Sequence, residues 1–271
     1  MKHQLPASDR VAVTLDPQGV AHVRLTRADK LNALDNAMFA ALLDVGRALF
    51  DWPGLRAVVL SGEGRAFCAG LDLSALNSLL GSEAPPLTVR SHGNANFYQQ
   101  AALQWRKLPV PVVAAIQGAC LGGGLQIAGG ADIRIVAPDA RLAVMEMKWG
   151  IVPDMGGFAL WRGTVRDDVL RELTYTNRDF TGIEAQALGF ATIVDADPLG
   201  RALAIAADIA TRSPHAVRSA KTLFNRATDT PLDEILHAES VEQHKLLGSR
   251  NQIEAMHSQQ EGRAANFSDP D

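Results

Sequence analysis

The sequence predicts an α/β fold in which strands and helices alternate along most of the chain and helices alone occupy its end. Short apolar runs alternate with helical patterns as far as Val194, and no strand pattern follows it. One run, Val112–Ile116, is apolar throughout, which is typical of a strand covered on both faces. Hydrophobic residues make up 47% of the 271 residues, which is enough for a sizeable core in one large domain or two small ones.

The first predicted elements are a β-hairpin, a helix and a third strand. Residues 11–15 and 20–25 alternate between apolar and polar, and residues 16–19 between them include Asp, Pro and Gly, which favour a turn. A helix is predicted to begin at the capping residue Asp35 and to carry apolar side chains at helical spacing, at Met38, Leu42, Val45 and Leu49. Residues 55–60 follow as a strand.

The centre of the chain combines a buried strand with a glycine-rich turn. Val112–Ile116 ends at Gln117 and Gly118, and the glycines of residues 122–124 then lead into the apolar residues 125–128, which suit a buried helix. Glycines at a helix start leave backbone N–H groups free to meet an anionic oxygen, although a flexible turn or close helix packing explains the glycines equally well. Residues 132–136 form the next predicted strand.

The second half is predicted to become mainly helical. Thr181 and Glu184 form a capping box for a helix that ends at Gly189. A short strand follows at residues 191–194. The predicted helices before and after these elements cover residues 158–162, 167–174, 199–211, 214–226 and 232–249.

One segment, residues 76–90, mixes Gly, Ser and Pro and is the most mobile part of the first half by prediction. It is either a loop that covers a substrate or an ordinary surface insertion. His92, just beyond it, is a packing or surface residue in the simplest interpretation.

Composition restricts the class of protein. The net charge is −4 with Lys and Arg scattered along the chain, so we expect no nucleic-acid partner. Cys68 and Cys120 are the only cysteines and both have apolar neighbours, which fits reduced, buried thiols. No segment is long and apolar enough to span a bilayer, and the first residues lack a signal core. We therefore expect a soluble cytoplasmic protein without a membrane partner.

Several catalytic motifs are missing from the sequence. His237 and His244 are seven residues apart, but no acidic ligand stands at metal spacing and there is no H-E-x-x-H, so we expect no metal site. There is no G-x-S-x-G or P-loop motif. Residues 61–65 resemble a dinucleotide fingerprint only superficially, because the third glycine is absent.

Two carboxylates after the glycine triplet are candidates for acid/base work. Glu146 has apolar neighbours, and Asp154 sits in a turn rich in Pro and Gly.

Four stretches of the chain together resemble the crotonase, or enoyl-CoA hydratase/isomerase, family. The order and spacing of the match extend from about Val11 to the C-terminus. The stretches are residues 64–73 (GRAFCAGLDL), 116–126 (IQGACLGGGLQ), 131–134 (ADIR) and 146–157 (EMKWGIVPDMGG).

The resemblance implies a fold and an assembly. A member of this family is expected to be a spiral of β-β-α turns with perpendicular sheets. We expect the spiral core with its acyl-CoA site over residues 1–195. A helical region over residues 196–271 would form a homotrimer, often a dimer of trimers, using Leu203, Ile209, Leu223, Leu236 and Leu246.

The resemblance also implies the positions of site residues. The backbone N–H groups of Leu71 and Gly123 would stabilise an oxyanion, and Glu146, Asp154 and Gln126 would be the catalytic side chains. Coenzyme A enters only as part of the substrate, with no separate cofactor. Its contacts are expected at Arg27, Lys30, Ala33, Ala69, Gly70, Asp72 and Gly122, although Arg27 and Lys30, taken singly, are better explained as solvated surface cations.

The reaction favoured by the resemblance is isomerisation of a double bond in an unsaturated acyl-CoA, with Glu146 as the principal acid/base and Asp154 as its helper. The family's hydratases carry a glutamate where this chain has Gln126, whose amide could orient a water or the thioester but cannot exchange a proton usefully. The alternatives are a 2-enoyl-CoA hydratase, a dehalogenase or thioester hydrolase that uses Asp154 with His92, and a non-catalytic scaffold. Chain length and double-bond position are left open.

Overall fold

The protein was analysed as a computed structural model that describes residues 4–75 and 86–270. Most of the predicted covering loop, residues 76–85, lies outside these ranges.

The described part of the chain contains ten strands, four more than the sequence predicted. In chain order they are β1 (Val11–Leu15), β2 (Val20–Leu25), β3 (Ala57–Gly62), β4 (Ala66–Cys68), β5 (Val112–Ile116), β6 (Ala119–Leu121), β7 (Ile133–Val136), β8 (Arg141–Ala143), β9 (Phe180–Thr181) and β10 (Ile193–Val194).

The strands form two sheets. The first has the order β1-β2-β3-β5-β7-β10, and the second has the order β4-β6-β8-β9. Only β1 with β2 and β8 with β9 pair antiparallel; the other pairs are parallel. From β3 to β8, consecutive strands alternate between the first and the second sheet. This alternation is the predicted spiral, and the α/β assignment is confirmed.

Ten α-helices connect and cover the strands in the described ranges. They are α1 (Asn36–Phe50), α2 (Phe97–Lys107), α3 (Gly123–Gly129), α4 (Gly157–Trp161), α5 (Asp167–Thr176), α6 (Gly182–Leu188), α7 (Pro198–Ala210), α8 (Pro214–Ala227), α9 (Leu232–Leu246) and α10 (Arg250–Glu261). Short 3-10 helices occur at Ala28–Lys30, Leu73–Ala75 and Glu146–Trp149.

Helix starts follow the predicted capping chemistry. The Asp35 side chain accepts a hydrogen bond from the Met38 N–H at 2.8 Å, and Thr181 with Glu184 forms the predicted capping box. The prediction of three terminal helices was wrong, because Gly248 and Ser249 interrupt the pattern and Ser249 caps α10 as a fourth helix.

The first sheet is buried on both faces, as an unbroken apolar strand predicts. On β3, Val58 and Leu60 face the main core, while Ala57 and Val59 face α7. The small residues Ala202 and Ala206 of α7 pack directly on this second face. Thus α7, which follows the predicted boundary at residue 195, completes the burial of the sheet.

A buried lysine attaches α8 to the core. The Lys221 ammonium group donates hydrogen bonds to the carbonyl oxygens of Trp105 (3.0 Å) and Val110 (2.7 Å) and to Asp132 Oδ2 (2.7 Å). Asp132 Oδ2 also accepts from the Val112 N–H at the start of β5. Every hydrogen of the buried ammonium therefore has an acceptor.

In the described ranges, no helix combines the length and the apolar composition needed to cross a membrane.

Candidate active site

Two turns meet at one end of the second sheet. β4 and β6 are parallel neighbours, so the chain leaves both strands at the same edge. Gly70 after β4 has φ 86° and Gly122 after β6 has φ 49°, conformations that favour glycine. A Cβ on Gly70 would lie 2.7 Å from the Leu121 carbonyl oxygen and 3.6 Å from the Gly123 nitrogen. The two turns are therefore in close contact.

Each turn contributes a backbone N–H group without an acceptor. Leu34 donates to the Gly70 carbonyl (2.8 Å) and accepts from the Asp72 N–H (2.9 Å). In such a parallel bridge Leu71, between the two bonded residues, directs its own N–H group to the opposite side. Gly123 is the first residue of α3, where the helix offers no partner. Within residues 4–75 and 86–270, no acceptor is found for either N–H group.

A cavity of about 240 Å³ opens beside these turns. Six of the predicted site residues line it: Ala69, Gly70, Leu71, Gly122, Gly123 and Glu146. Seven further residues that the sequence analysis did not name complete the wall: Leu73, Leu121, Arg141, Met145, Lys148, Trp149 and Ile151.

Three of the unpredicted wall residues could have been found from the sequence. Lys148, Trp149 and Ile151 lie within about one turn of Glu146, so a side chain at position 146 that faces a cavity brings them close to it. Arg141 had no such signal, because it is brought to the site by the pairing of β8 with β6.

A larger cavity of about 740 Å³ lies between α10 and the C-terminal residues. Neither Leu71 nor Gly123 lines it. Its guanidinium groups all have carboxylate partners, in the pairs Arg56–Asp269, Arg212–Asp208 and Arg263–Glu254. Because these three arginines are already paired, the described residues that line the cavity include no unpaired guanidinium group to bind an anionic substrate.

Glu146 begins the 3-10 helix after β8 and is 7% exposed. Its Oε1 accepts a hydrogen bond from Gln126 Nε2 at 2.6 Å. Its Oε2 is also buried, and no described residue donates to it. A Cβ on Gly122 would lie 3.4 Å from Oε1, so the carboxyl group is next to the glycine turn. Burial raises the pKa of Glu146 above its usual value.

Gln126 lies on α3 and is 1% exposed. Its Oε1 accepts hydrogen bonds from the N–H groups of Met155 and Gly157, both at 2.9 Å, while its Nε2 donates to Glu146. The predicted role in orienting a water or the thioester is not what these contacts indicate, because the amide oxygen is saturated by backbone donors. The side chain instead joins Glu146 to the turn before α4.

Asp154 stands in that same turn and is half-buried. Burial raises its pKa, and its charge contributes to raising the pKa values of Glu146 and Tyr98. Asp154 does not line the cavity of Glu146. His92, considered with Asp154 as a hydrolytic pair, bonds to Ser91 Oγ at 2.9 Å and contacts the Phe97 ring.

Arg27 and Asp72, two residues predicted to contact coenzyme A, form an ion pair with each other. Arg27 Nη1 lies 2.7 Å from Asp72 Oδ2 and 3.5 Å from Asp35 Oδ2, and it donates to the Ala33 carbonyl at 3.0 Å. Hydrogen bonds from Ser74 and Arg27 lower the pKa of Asp72 to about 2. The contacts of Arg27 and Asp72 thus differ from the prediction: they join the segment before α1 to the turn after β4.

The other predicted contacts remain accessible. Lys30 is exposed at the end of its 3-10 helix, and no ion pair involves it in the described part of the chain. Ala33 is partly exposed, and its N–H donates to the Lys30 carbonyl. The described residues contain no group of His, Cys, Asp and Glu side chains suited to a metal ion.

Comparison with known proteins agrees with this arrangement. A sequence model described as enoyl-CoA hydratase/isomerase matches residues 16–270. The chain belongs to the enoyl-CoA hydratase/isomerase family. It is therefore an enzyme by descent, and its two sheets match those of solved members of this family.

Relatives with two different activities are similar to this chain. Mouse mitochondrial Delta(3,5)-Delta(2,4)-dienoyl-CoA isomerase is 30% identical over 263 residues, which cover 94% of this chain and 80% of that protein. A Mycobacterium tuberculosis protein named "Probable enoyl-CoA hydratase echA8" is 31% identical over 255 residues, 92% of this chain and 95% of that protein. The crystal structure of enoyl-CoA hydratase from Bacillus anthracis superposes with a TM-score of 0.86 at 27% identity and covers 95% of this chain and 98% of its own.

Proposed function

We propose that this member of the enoyl-CoA hydratase/isomerase family moves a double bond along an unsaturated acyl-CoA. One observation carries the proposal: a single cavity wall contains the free N–H groups of Leu71 and Gly123 and the carboxyl group of Glu146. Two N–H donors suit the negative oxygen of a thioester enolate, and each such donor typically contributes on the order of 3 kcal/mol to the transition state. A carboxylate beside them supplies the base.

The proposed reaction begins when Glu146 Oε2 takes a proton from the carbon next to the thioester carbonyl. The electrons of that C–H bond form a carbon–carbon double bond, and the carbonyl oxygen becomes an oxyanion held by the two N–H groups. When the carbonyl re-forms, the electrons shift along the chain and the distal carbon takes a proton from an acid. The substrate keeps its composition, Glu146 returns its proton to solvent, and the acid regains a proton from solvent.

Asp154 is the proposed source of the second proton. Burial raises its pKa, which favours the protonated form that a general acid requires. Its charge acts on Glu146, and because Asp154 does not itself line the cavity, its proton would reach the substrate through a water. Glu146 itself remains the principal acid/base.

Hydration of a 2-enoyl-CoA is the second candidate, because relatives named as hydratases are as similar to this chain as those named as isomerases. Hydration needs a group that activates water and a group that protonates the carbon beside the carbonyl. Gln126 cannot be either, since its amide does not titrate and its oxygen is occupied. The dehalogenase or hydrolase alternative gains no support, because a nucleophile must touch the substrate carbon directly and Asp154 lies outside the cavity wall, whereas a general acid can deliver its proton through a water.

The test is a comparison of double-bond migration in 3,5-dienoyl- and 3-enoyl-CoA thioesters with hydration of 2-enoyl-CoA thioesters, across chain lengths. We expect migration to have the larger kcat/KM. Gln126→Glu would place a second carboxyl group beside Glu146 and is expected to raise hydration relative to migration. A wild-type protein that hydrates faster than it isomerises, with no gain in the variant, would support the hydratase instead.

Coenzyme A is proposed as part of the substrate and not as a separate cofactor. Its contacts are proposed at Lys30, Ala33, Ala69, Gly70 and Gly122, the accessible members of the predicted set. We also propose a cytoplasmic location, although the mouse relative is named as mitochondrial.

We further propose a trimer or a dimer of trimers. Of the predicted contact residues, Leu203 and Leu236 are exposed, whereas Ile209 packs partly against the first sheet. Helices α8 to α10 expose further large apolar side chains, which in an isolated subunit would face water: Phe224 (75% exposed), Leu232 (70%), Leu247, Ile253 and Met256.

Sedimentation velocity is expected to show a species of three or six chains at micromolar concentration. Phe224→Glu should shift the distribution to smaller species, because a charge would be buried at the contact. Ile183→Glu, at a similarly exposed position on α6, is the matched control and should leave the distribution unchanged. A wild-type protein that sediments only as a monomer would refute the proposal.

A further inference from the structure

Gln126 contacts both of the segments that carry a candidate catalytic carboxyl group. Through Nε2 it meets Glu146, and through Oε1 it meets the backbone of Met155 and Gly157, which follow Asp154 directly. These contacts use one amide group of a side chain that is 1% exposed. The amide nitrogen and the amide oxygen are therefore both hydrogen-bonded, and the side chain is held in one position.

From these contacts we infer that Gln126 is a positioning residue that makes Oε2 the more basic oxygen of Glu146 and favours the ionised form of that carboxyl group. The inference rests on the proposed function for its kinetic consequence only. Its structural part, a hydrogen bond that controls the charge of a buried carboxylate, holds for any chemistry at this site.

The selection of one oxygen follows from the hydrogen bonds. An amide N–H that donates to Oε1 lowers the basicity of that oxygen and prevents the carboxyl group from rotating. Oε2 has no donor among the described residues, so it is the more basic of the two oxygens. Because Oε1 of Gln126 is held by two backbone N–H groups, the amide cannot flip and present its oxygen to Glu146.

The effect on ionisation follows from the balance of groups around Glu146. Burial raises the pKa of Glu146 and the negative charge of Asp154 raises it further, while the backbone of Glu146 and of Met145 and the Gln126 donor lower it by stabilising the carboxylate. The charged groups in the same cavity wall are Arg141 and Lys148, and both are exposed. Among the described side chains, Gln126 is thus the one hydrogen-bond donor to this carboxyl group.

The raised pKa of Glu146 makes the stability of the fold depend on pH. A glutamate whose folded pKa is raised stabilises the fold below its unfolded pKa, and this contribution is lost as pH rises through the folded pKa. Wild type should therefore lose stability relative to Glu146→Gln between the usual glutamate range and the raised folded pKa. In Gln126→Met, which lacks the donor, we expect this loss to extend about one pH unit or more further upward.

The first arm of the experiment needs no substrate. Chemical unfolding is measured from acidic to slightly basic pH for wild type, Glu146→Gln, Gln126→Met and the double variant. The ionisation of Glu146 is reported by two differences in the free energy of unfolding. One is between wild type and Glu146→Gln, and the other is between Gln126→Met and the double variant. Gln104→Met is the matched control, because Gln104 is another buried glutamine whose amide binds backbone, at Leu42 and Ala101, away from Glu146. It should lower stability at every pH equally.

The second arm is the pH profile of kcat/KM with a medium-chain 3,5-dienoyl-CoA. In Gln126→Met the acidic limb should move upward by about one pH unit or more, while Gln104→Met should leave the limb in place. If Gln126 had a purely structural role, Gln126→Met would lower kcat/KM at every pH without moving the acidic limb.

Gln126→Glu keeps the inference testable if Gln126→Met does not fold. A carboxylate at position 126 still accepts from Met155 and Gly157, and its other oxygen would face Glu146 Oε1 across the present 2.6 Å contact. The two carboxyl groups would share a proton, so stability and activity should both fall at basic pH, where that proton leaves.

The outcomes separate the two proposals. A shifted stability profile without isomerase activity would support the positioning role and refute the proposed reaction. Superimposable profiles for wild type and Gln126→Met, together with no basic decline in Gln126→Glu, would overturn the positioning role whatever the reaction is.

Discussion

The Glu146→Gln variant is expected to isomerise an unsaturated acyl-CoA at least about 100-fold more slowly than wild type, because an amide cannot accept a proton from carbon. The substitution preserves size, and the new amide oxygen can still accept the hydrogen bond from Gln126 Nε2. Acyl-CoA affinity should therefore change little. Thermal stability at neutral pH should be equal or higher, since a buried charge is removed.

The measurements are kcat, the dissociation constant of a non-reactive acyl-CoA, and the melting temperature. Asp139→Asn removes an exposed carboxylate in the turn between β7 and β8 and serves as the control for loss of one negative charge. Turnover of Glu146→Gln within a few-fold of wild type would exclude Glu146 as the acid/base group.

The Gly123→Pro variant is expected to lose about 100-fold or more in kcat relative to Gly123→Ala. Gly123 is the first residue of α3, a position at which proline is tolerated in helices, so the substitution removes the N–H group and leaves the helix intact. The added Cβ would approach Leu34 Cδ1 and Met155 Sδ, both at 2.9 Å, and both atoms end flexible side chains that can shift.

Gly123→Ala isolates this steric effect, because it adds the Cβ and keeps the donor. Comparing the two variants by kcat, with circular dichroism to verify the fold, assigns the remaining difference to the lost N–H group. Equal turnover in the two variants would show that the Gly123 N–H does not contact the reacting oxygen.

The predictability of the fold depended on the length of each element. The five apolar residues of β5 and the alternation in β2 are long enough to show a period, and both were found. The strands β4, β6 and β8 have three residues each, too few for any period, and the sequence analysis missed them. Their existence follows from pairing between distant segments, which single-sequence patterns do not contain.

The site shows the same division. Glycines that need a left-handed backbone, such as Gly70 and Gly122, mark the two turns in the sequence itself. What the sequence could not show was the partner of each polar side chain. Arg27 appeared free for a phosphate, yet it pairs with Asp72, and Gln126 appeared available for water, yet the backbone after Asp154 occupies it. Both contacts join residues that only the fold brings together.

The Lys221 contacts and the packing of α7 constrain how the chain can be made. The Trp105 and Val110 carbonyls, Asp132 and one face of the first sheet all precede residue 195, but the groups that satisfy and cover them come from α7 and α8. A nascent chain on the ribosome that has emerged only to β10 would therefore expose an apolar sheet face and unpaired acceptors. The spiral becomes a finished core late in translation, and until then its uncovered sheet face is open to association with other chains.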